Sequence, residues 1–108
     1  VIWEGLKKEE ISMWIRFIEV KIQHDKLDEA RKIYNEEIVP TVKTQKGNIE
    51  TFLMESKDRE GVVISFTSWE TQENGDAYER GGTYVEMVNK VKHTFAGIPT
   101  LWSYEVKK

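Results

Sequence analysis

Four short apolar runs alternate along the chain with two longer stretches in which apolar residues return every third or fourth position. Met13 to Ile22 (MWIRFIEVKI) is β-branched and aromatic and stops at Gln23-His24-Asp25, which predicts a strand. Asp25 offers an N-cap, and Asp28 and Glu29 place negative charge in a first helical turn, where the helix dipole favours it. Leu27, Ala30, Tyr34 and Ile38 then fall on one face, so an amphipathic helix is predicted over residues 26–39. Pro40 should kink that helix or start a short second segment, and Gly47 suits a C′ position.

Residues 49–56 (IETFLMES) and 62–69 (VVISFTSW) read as two strands joined by the polar loop Lys57-Asp58-Arg59-Glu60-Gly61. A second helix is predicted over residues 76–95. On its wheel Ala77, Gly81, Tyr84, Val88, Val91 and Phe95 share a face, while Arg80, Glu86, Asn89 and His93 point away. Gly97 and Pro99 stop it, and residues 100–106 (TLWSYEV) close as a strand. The order β-α-β-β-α-β predicts an α+β fold of ferredoxin-like arrangement, with both helices on one face of an antiparallel sheet. Residues 1–12 form an extension, in which Ile2, Trp3 and Leu6 suit a short packing helix, and 13–108 form the domain.

A sheet covered on one side should alternate apolar and polar residues. The first strand does not: Met13, Ile15 and Phe17 can face the helices, but Trp14, Arg16, Ile18, Val20 and Ile22 make up the opposite set. The third divides similarly, into Val62, Ile64 and Phe66 against Val63, Ser65, Thr67 and Trp69. Large apolar groups on a helix-free face require a cover. A second copy of the chain supplies it most simply, so a homodimer closing a barrel is expected.

Composition narrows the chemistry. There is no cysteine, which removes thiol nucleophiles, disulfides and Cys-ligated metal centres. Only His24 and His93 remain for metal or proton work, so no metal and no cofactor is expected. A net charge of −3 with interleaved signs argues against nucleic acid as partner. No apolar run approaches the roughly 20 residues that span a bilayer, and the start is too short and charged for a signal peptide. No membrane partner and a cytoplasmic location are expected.

Glu19-Val20-Lys21, Lys46-Gly47-Asn48, Ser68-Trp69-Glu70-Thr71, Ala77-Tyr78-Glu79, Gly82-Thr83-Tyr84, Ala96-Gly97-Ile98-Pro99 and Tyr104-Glu105-Val106 together resemble the antibiotic biosynthesis monooxygenase (ABM) type of dimeric α/β-barrel protein. Ser-x-Trp-Glu is the most distinctive part. The resemblance implies a small homodimer with a pocket between sheet and helices in each subunit. Members of that family include cofactor-free oxygenases of polycyclic aromatic phenols, quinol oxygenases, haem-degrading oxygenases and many proteins with no assigned activity, so the resemblance identifies fold and assembly better than reaction. The haem-degrading pattern, as the resemblance implies it, needs an Asn where Arg16 stands and a His near Glu79, so only Trp69 matches.

Arg16, in mid-strand, either pairs with a carboxylate such as Glu50 or Glu55 or with the partner chain, or binds a substrate oxyanion. Trp14 and Trp69 either pack the core or stack a planar aromatic ligand. Ser65 and Thr67, on the face of Trp69, and Tyr78, beside Gly81-Gly82, complete the substrate-binding candidates, and the glycine pair suggests close packing or room for a ligand. His24, at a strand end, is the candidate base, with Arg16 the other catalytic candidate. The expected function is cofactor-independent monooxygenation of a small aromatic or quinone-like substrate, with a non-catalytic ligand-binding or interaction module as the alternative.

Overall fold

The computed structural model describes residues 13–107; the expected extension over residues 1–12 lies outside the described residues. Strand β1 (Trp14–Lys21) is followed by helix α1 (Leu27–Ile33), a π-helical turn (Tyr34–Ile38) and the short helix α2 (Val39–Val42). Then come β2 (Asn48–Glu55), β3 (Val62–Trp69), α3 (Gln72–Arg80), α4 (Gly82–Val91), a 3-10 turn (Lys92–Thr94) and β4 (Thr100–Glu105). The strands form one antiparallel sheet in the order β2-β3-β1-β4. This is the expected ferredoxin-like α+β architecture.

In the first helical segment Leu27, Ala30, Tyr34 and Ile38 all pack into the core, as their spacing requires. Lys26 rather than Asp25 occupies the cap position, and no side chain closes the helix start. Pro40 lacks the N–H that would bond the Glu36 carbonyl, and its ring crowds that carbonyl. The chain answers with one widened turn, Tyr34–Ile38, and restarts as α2 with Pro40 in its first positions. Gly47 is not a C′ residue, because α2 closes at Lys43. It sits in the turn before β2 with φ 80°, and its carbonyl accepts the Glu70 N–H at 2.8 Å.

The single helix expected over residues 76–95 is two helices. Thr71 caps α3, its Oγ1 accepting the Asn74 N–H at 3.1 Å, so the helix begins earlier than expected. It ends at Gly81, which is extended, and α4 restarts at Gly82. Close packing does not account for Gly82, where a Cβ would meet nothing within 4 Å, whereas a Cβ at Gly81 would touch the Ala77 and Tyr78 carbonyls at 3.4 Å. The break resets the helical phase. Ala77 faces solvent and Gly75 is buried, whereas Tyr84, Val88, Val91 and Phe95 keep their inward positions.

Gly75 is where α3 meets the sheet. A Cβ there would lie 2.2 Å from Cζ3 of the buried Trp14 ring. Gly75→Ala is therefore expected to destabilise the protein by about 1–3 kcal/mol in urea unfolding, despite the better helix propensity of alanine. Unchanged stability would show that α3 can lift off Trp14 freely.

The sheet faces are the reverse of those expected. Trp14, Val20, Ile22, Val63 and Trp69 lie beneath the helices, with Arg16, Ile18, Ser65 and Thr67 on the same side. Phe17 and Phe66 face away from the helices. There Phe52 stacks on Phe66 at 4.5 Å, Phe66 meets Phe17 at 5.4 Å, and Phe17 meets Tyr104 edge-on at 5.3 Å. An aromatic row thus crosses β2, β3, β1 and β4. Met54 and Trp102 extend it as exposed apolar groups. Charge distribution explains the choice: the Phe17 set carries Glu19 and Lys21, while the Trp14 set carries only Arg16, and the more charged set faces outward. Both faces are nonetheless apolar, so the premise of a two-faced sheet holds.

Candidate functional site

The helices do not fill the space above the sheet. A cavity of about 360 Å³ remains between them, at the low end of the roughly 300–1,000 Å³ usual for small-molecule sites. Ile22, Leu27, Val63, Val91 and Phe95 give it aliphatic and aromatic walls, and Ile98, Pro99 and Leu101 also line it. Ile98 is 93% exposed and Leu101 is exposed, which puts this part of the lining at the solvent boundary. Arg16, Arg31, Tyr34, Ser65, Thr67, Tyr78, Glu79 and Tyr84 supply its polar groups. The structure therefore brings four of the substrate-binding candidates together: Arg16, Ser65, Thr67 and Tyr78.

Arg16 pairs with neither Glu50 nor Glu55. Its Nη1 donates to Ser103 Oγ at 2.6 Å on the adjacent strand β4. Its guanidinium carbon lies 5.8 Å from the centroid of the Trp14 ring, within range of a cation–π attraction. Nε lies 3.1 Å from Glu79 Oε2 on α3, and the two side chains are 19% and 20% exposed. The two form an ion pair, but the Nε–H is not directed at the carboxylate oxygen, so this buried donor has no hydrogen-bond acceptor. Glu55 belongs to Arg31, which clasps it through Nε at 2.5 Å and Nη2 at 2.8 Å.

Burial dominates the titration of the site. It pushes the Glu79 carboxyl above its ordinary range, with Arg16 opposing and Asp76 adding to the rise. The Tyr34 phenol is pushed up to about 12 by burial, against the opposing hydrogen bond it shares with Ser65 Oγ. Burial also raises Tyr78 and Tyr84; neighbouring tyrosines and Glu79 add to the first, while for Tyr84 Glu79 adds and Arg16 opposes. The three phenols thus stay neutral near pH 7 and can donate hydrogen bonds without adding charge.

Trp14 and Trp69 are core residues. Trp69 is 1% exposed, donates from Nε1 to Thr67 Oγ1 at 3.0 Å, and stacks on Tyr78 at 5.2 Å. Tyr78 in turn meets Tyr84 edge-on at 5.6 Å. The tryptophan therefore shapes the site from behind, by fixing Tyr78 and Thr67. His24 lies outside the cavity, beside a separate pocket with Glu60 and Gly61, and its ring is exposed. His93 is also exposed and fastens the 3-10 turn to α1 through Glu29, at 2.5 Å. That hydrogen bond holds the Glu29 carboxyl below its usual range.

Sequence reasoning missed Glu79 as a site residue. On one continuous helical wheel it falls away from the Ala77 face, whereas after the break Gly75, Tyr78 and Glu79 form their own inward face at i, i+3 and i+4. The adjacent glycines were the available signal. A haem-degrading site does not fit these residues: Arg16 and Glu79 stand at the two departures from that pattern, and no imidazole lines the cavity. Among the described residues no group of three His, Asp or Glu is placed to hold a metal, and no helix is long and apolar enough to cross a membrane.

A four-stranded ferredoxin-like sheet, helices over one face and an apolar cavity with a few convergent polar groups define a small α+β domain with an internal ligand-sized site. The chain belongs to the antibiotic biosynthesis monooxygenase family, whose model matches residues 13–90. Among solved structures it is similar to a candidate antibiotic biosynthesis monooxygenase from Caulobacter crescentus CB15, with 18% identity, TM-score 0.79 and full coverage of both chains. A candidate antibiotic biosynthesis monooxygenase from Nitrosomonas europaea shares 14% identity over 88% of this chain and 90% of its own, with TM-score 0.78. A conserved protein from Methanosarcina mazei Go1 shares 13% identity over 94% and 98%, with TM-score 0.79. At these identities the structures speak for the fold. No curated protein matches the chain.

Proposed function

We propose that the protein is a cofactor-independent monooxygenase of a small aromatic phenol or quinone precursor, acting as a homodimer. One observation carries the reading: Arg16, whose buried Nε–H has no hydrogen-bond acceptor, stands in the wall of a mainly apolar, ligand-sized cavity, whereas Arg31, which also lines it, is engaged by Glu55 and Asp28. In such a wall a guanidinium stabilises an oxyanion far better than it would in water. An aromatic enolate held there is electron-rich enough to reduce dioxygen directly. Carbon–oxygen bond formation gives a peroxide, and loss of water leaves a carbonyl. For an anthrone the balance is one CH₂ and one O₂ giving one C=O and one H₂O, all electrons coming from the substrate. Apolar walls exclude water from the intermediate.

Dimerisation rests on the aromatic row of the helix-free face. Phe52, Met54, Trp102 and Tyr104 leave it with exposed apolar surface of a breadth unusual in monomers. A second copy placed face to face would bury both rows at once.

Oxygen uptake with hydroxylated anthrone and naphthacene substrates tests the activity. Arg16→Leu is expected to keep the fold and lower kcat/KM by about a hundredfold, the scale of losing one oxyanion donor. If Arg16→Leu turns over at the wild-type rate, Arg16 serves only to bridge Glu79 and Ser103. A second reading, ligand binding without chemistry, is favoured by the absence of histidine from the cavity lining. It predicts that the same compounds raise the melting temperature while oxygen is not consumed.

A further inference from the structure

The Arg16–Glu79 pair is the one place in the cavity where opposite charges meet without a hydrogen bond between them. Arg16 comes from β1 and Glu79 from α3, so the pair spans the gap between sheet and helices. Arg16 is held by Ser103 through Nη1, which leaves its Nε–H uncommitted beside Glu79 Oε2. An acid and a base 3.1 Å apart, both lining a cavity, can address one small polar atom together.

We propose that Glu79 is the proton acceptor for an acidic hydroxyl of the substrate, whose oxygen then takes the place of the carboxylate as the counter-ion of Arg16. This rests on the oxygenase reading and names the residue that starts it. In the enol tautomer of an anthrone, reached by shift of one methylene hydrogen to the ketone oxygen, the O–H bond breaks, the proton passes to Glu79 Oε2, and the electron pair stays on the substrate oxygen. Before the step the site holds Arg16⁺ and Glu79⁻; after it, Arg16⁺, the substrate anion and neutral Glu79. Net charge is conserved, so no unpaired charge is buried at any point. Once oxygen has added to the substrate anion, the same proton can pass from Glu79 to the peroxide oxygen.

The surroundings suit the role. Facing Glu79 are Arg16 from β1, Tyr84 from α4, and Asp76 and Tyr78 from its own helix. The tyrosines remain neutral, so among the described residues Arg16 and Asp76 are the charges acting on it. Burial raises its proton affinity, which is the direction a base needs to receive a phenolic proton. His24 has no access to this position.

The test is an anaerobic titration with dithranol, an anthrone whose enolate absorbs at longer wavelength than the neutral form, followed by admission of oxygen. Wild type is expected to bind the probe as the anion at pH values where the free probe is neutral. Glu79→Gln should bind it neutral and lose at least about a hundredfold in oxygen uptake, the contribution of a general base. Glu79→Asp should recover part of the anion band, which separates proton transfer from mere packing. An anion band retained by Glu79→Gln overturns the inference. So does wild type holding the probe neutral, a result that needs no variant to fold. If wild type holds it neutral yet consumes oxygen, the oxygenase reading survives without Glu79. An anion band that depends on Glu79, with no oxygen consumed, keeps the inference and overturns the oxygenase. Failure of the probe to bind overturns both.

Discussion

Trp69→Ala is expected to cost about 3–5 kcal/mol of stability, the range for removing a buried aromatic ring. Trp69 is 1% exposed at the end of β3, opposite Trp14 in the β1 register. Its removal leaves a ring-sized void beneath α3, deprives Thr67 Oγ1 of the indole donor and takes away the face on which Tyr78 stacks. The neighbours cannot close that void, because Gly75 already holds α3 against Trp14. Urea unfolding at fixed protein concentration measures the loss. Val85→Ala is the control: that side chain is 55% exposed on α4, away from the aromatic row, and should change stability much less. Equal effects for the two would mean that Trp69 is not a core residue. Because Tyr78 and Thr67 line the cavity, any folded Trp69 variant should also bind substrate more weakly.

Phe17→Glu is expected to abolish the proposed dimer and leave a monomer. Phe17 lies in the middle of the aromatic row, touching Phe66 on one side and Tyr104 on the other. A face-to-face contact about a twofold axis would bury the substituted residue twice, once from each subunit. Burying an unpaired carboxylate costs several kcal/mol. About 4 kcal/mol corresponds to roughly a thousandfold weaker association. Sedimentation at micromolar concentration should give a dimer mass for wild type and a monomer mass for Phe17→Glu. The substitution should leave the cavity intact, since Phe17 is on the other side of the sheet. A wild-type monomer would contradict the dimer outright.

Much of this architecture is legible in the chain. Strand order, the hairpin loop at 57–61 and the inward face Leu27, Ala30, Tyr34 and Ile38 follow from periodicity, because each buried stripe is long and uninterrupted. The orientation of β1 is harder. Both of its faces are apolar, so the alternation that normally identifies the core side is weak, and only Glu19 and Lys21 mark the outer set. Helix phase is the other difficulty. A wheel assumes a continuous axis, and the break at Gly81 moves Ala77 out and Glu79 in. Residue type alone pointed to Arg16, Ser65, Thr67 and Tyr78, all of which meet in the cavity. His24 attracted attention by its chemistry, but a loop position beside Glu60 keeps it away. The widened turn at Tyr34–Ile38 is the physical consequence of Pro40, and its form depends on what the neighbouring turn can accommodate.

The central claim is that the cavity above the sheet oxygenates an aromatic substrate with dioxygen and no cofactor. Turnover of an anthrone under isotopically labelled dioxygen, with purified protein and metal chelator present, tests it most directly. The expected result is a quinone carrying one labelled oxygen atom, formed by wild type and strongly reduced in Arg16→Leu. Unlabelled product, or a rate no greater than that of the anthrone in buffer alone, would contradict it.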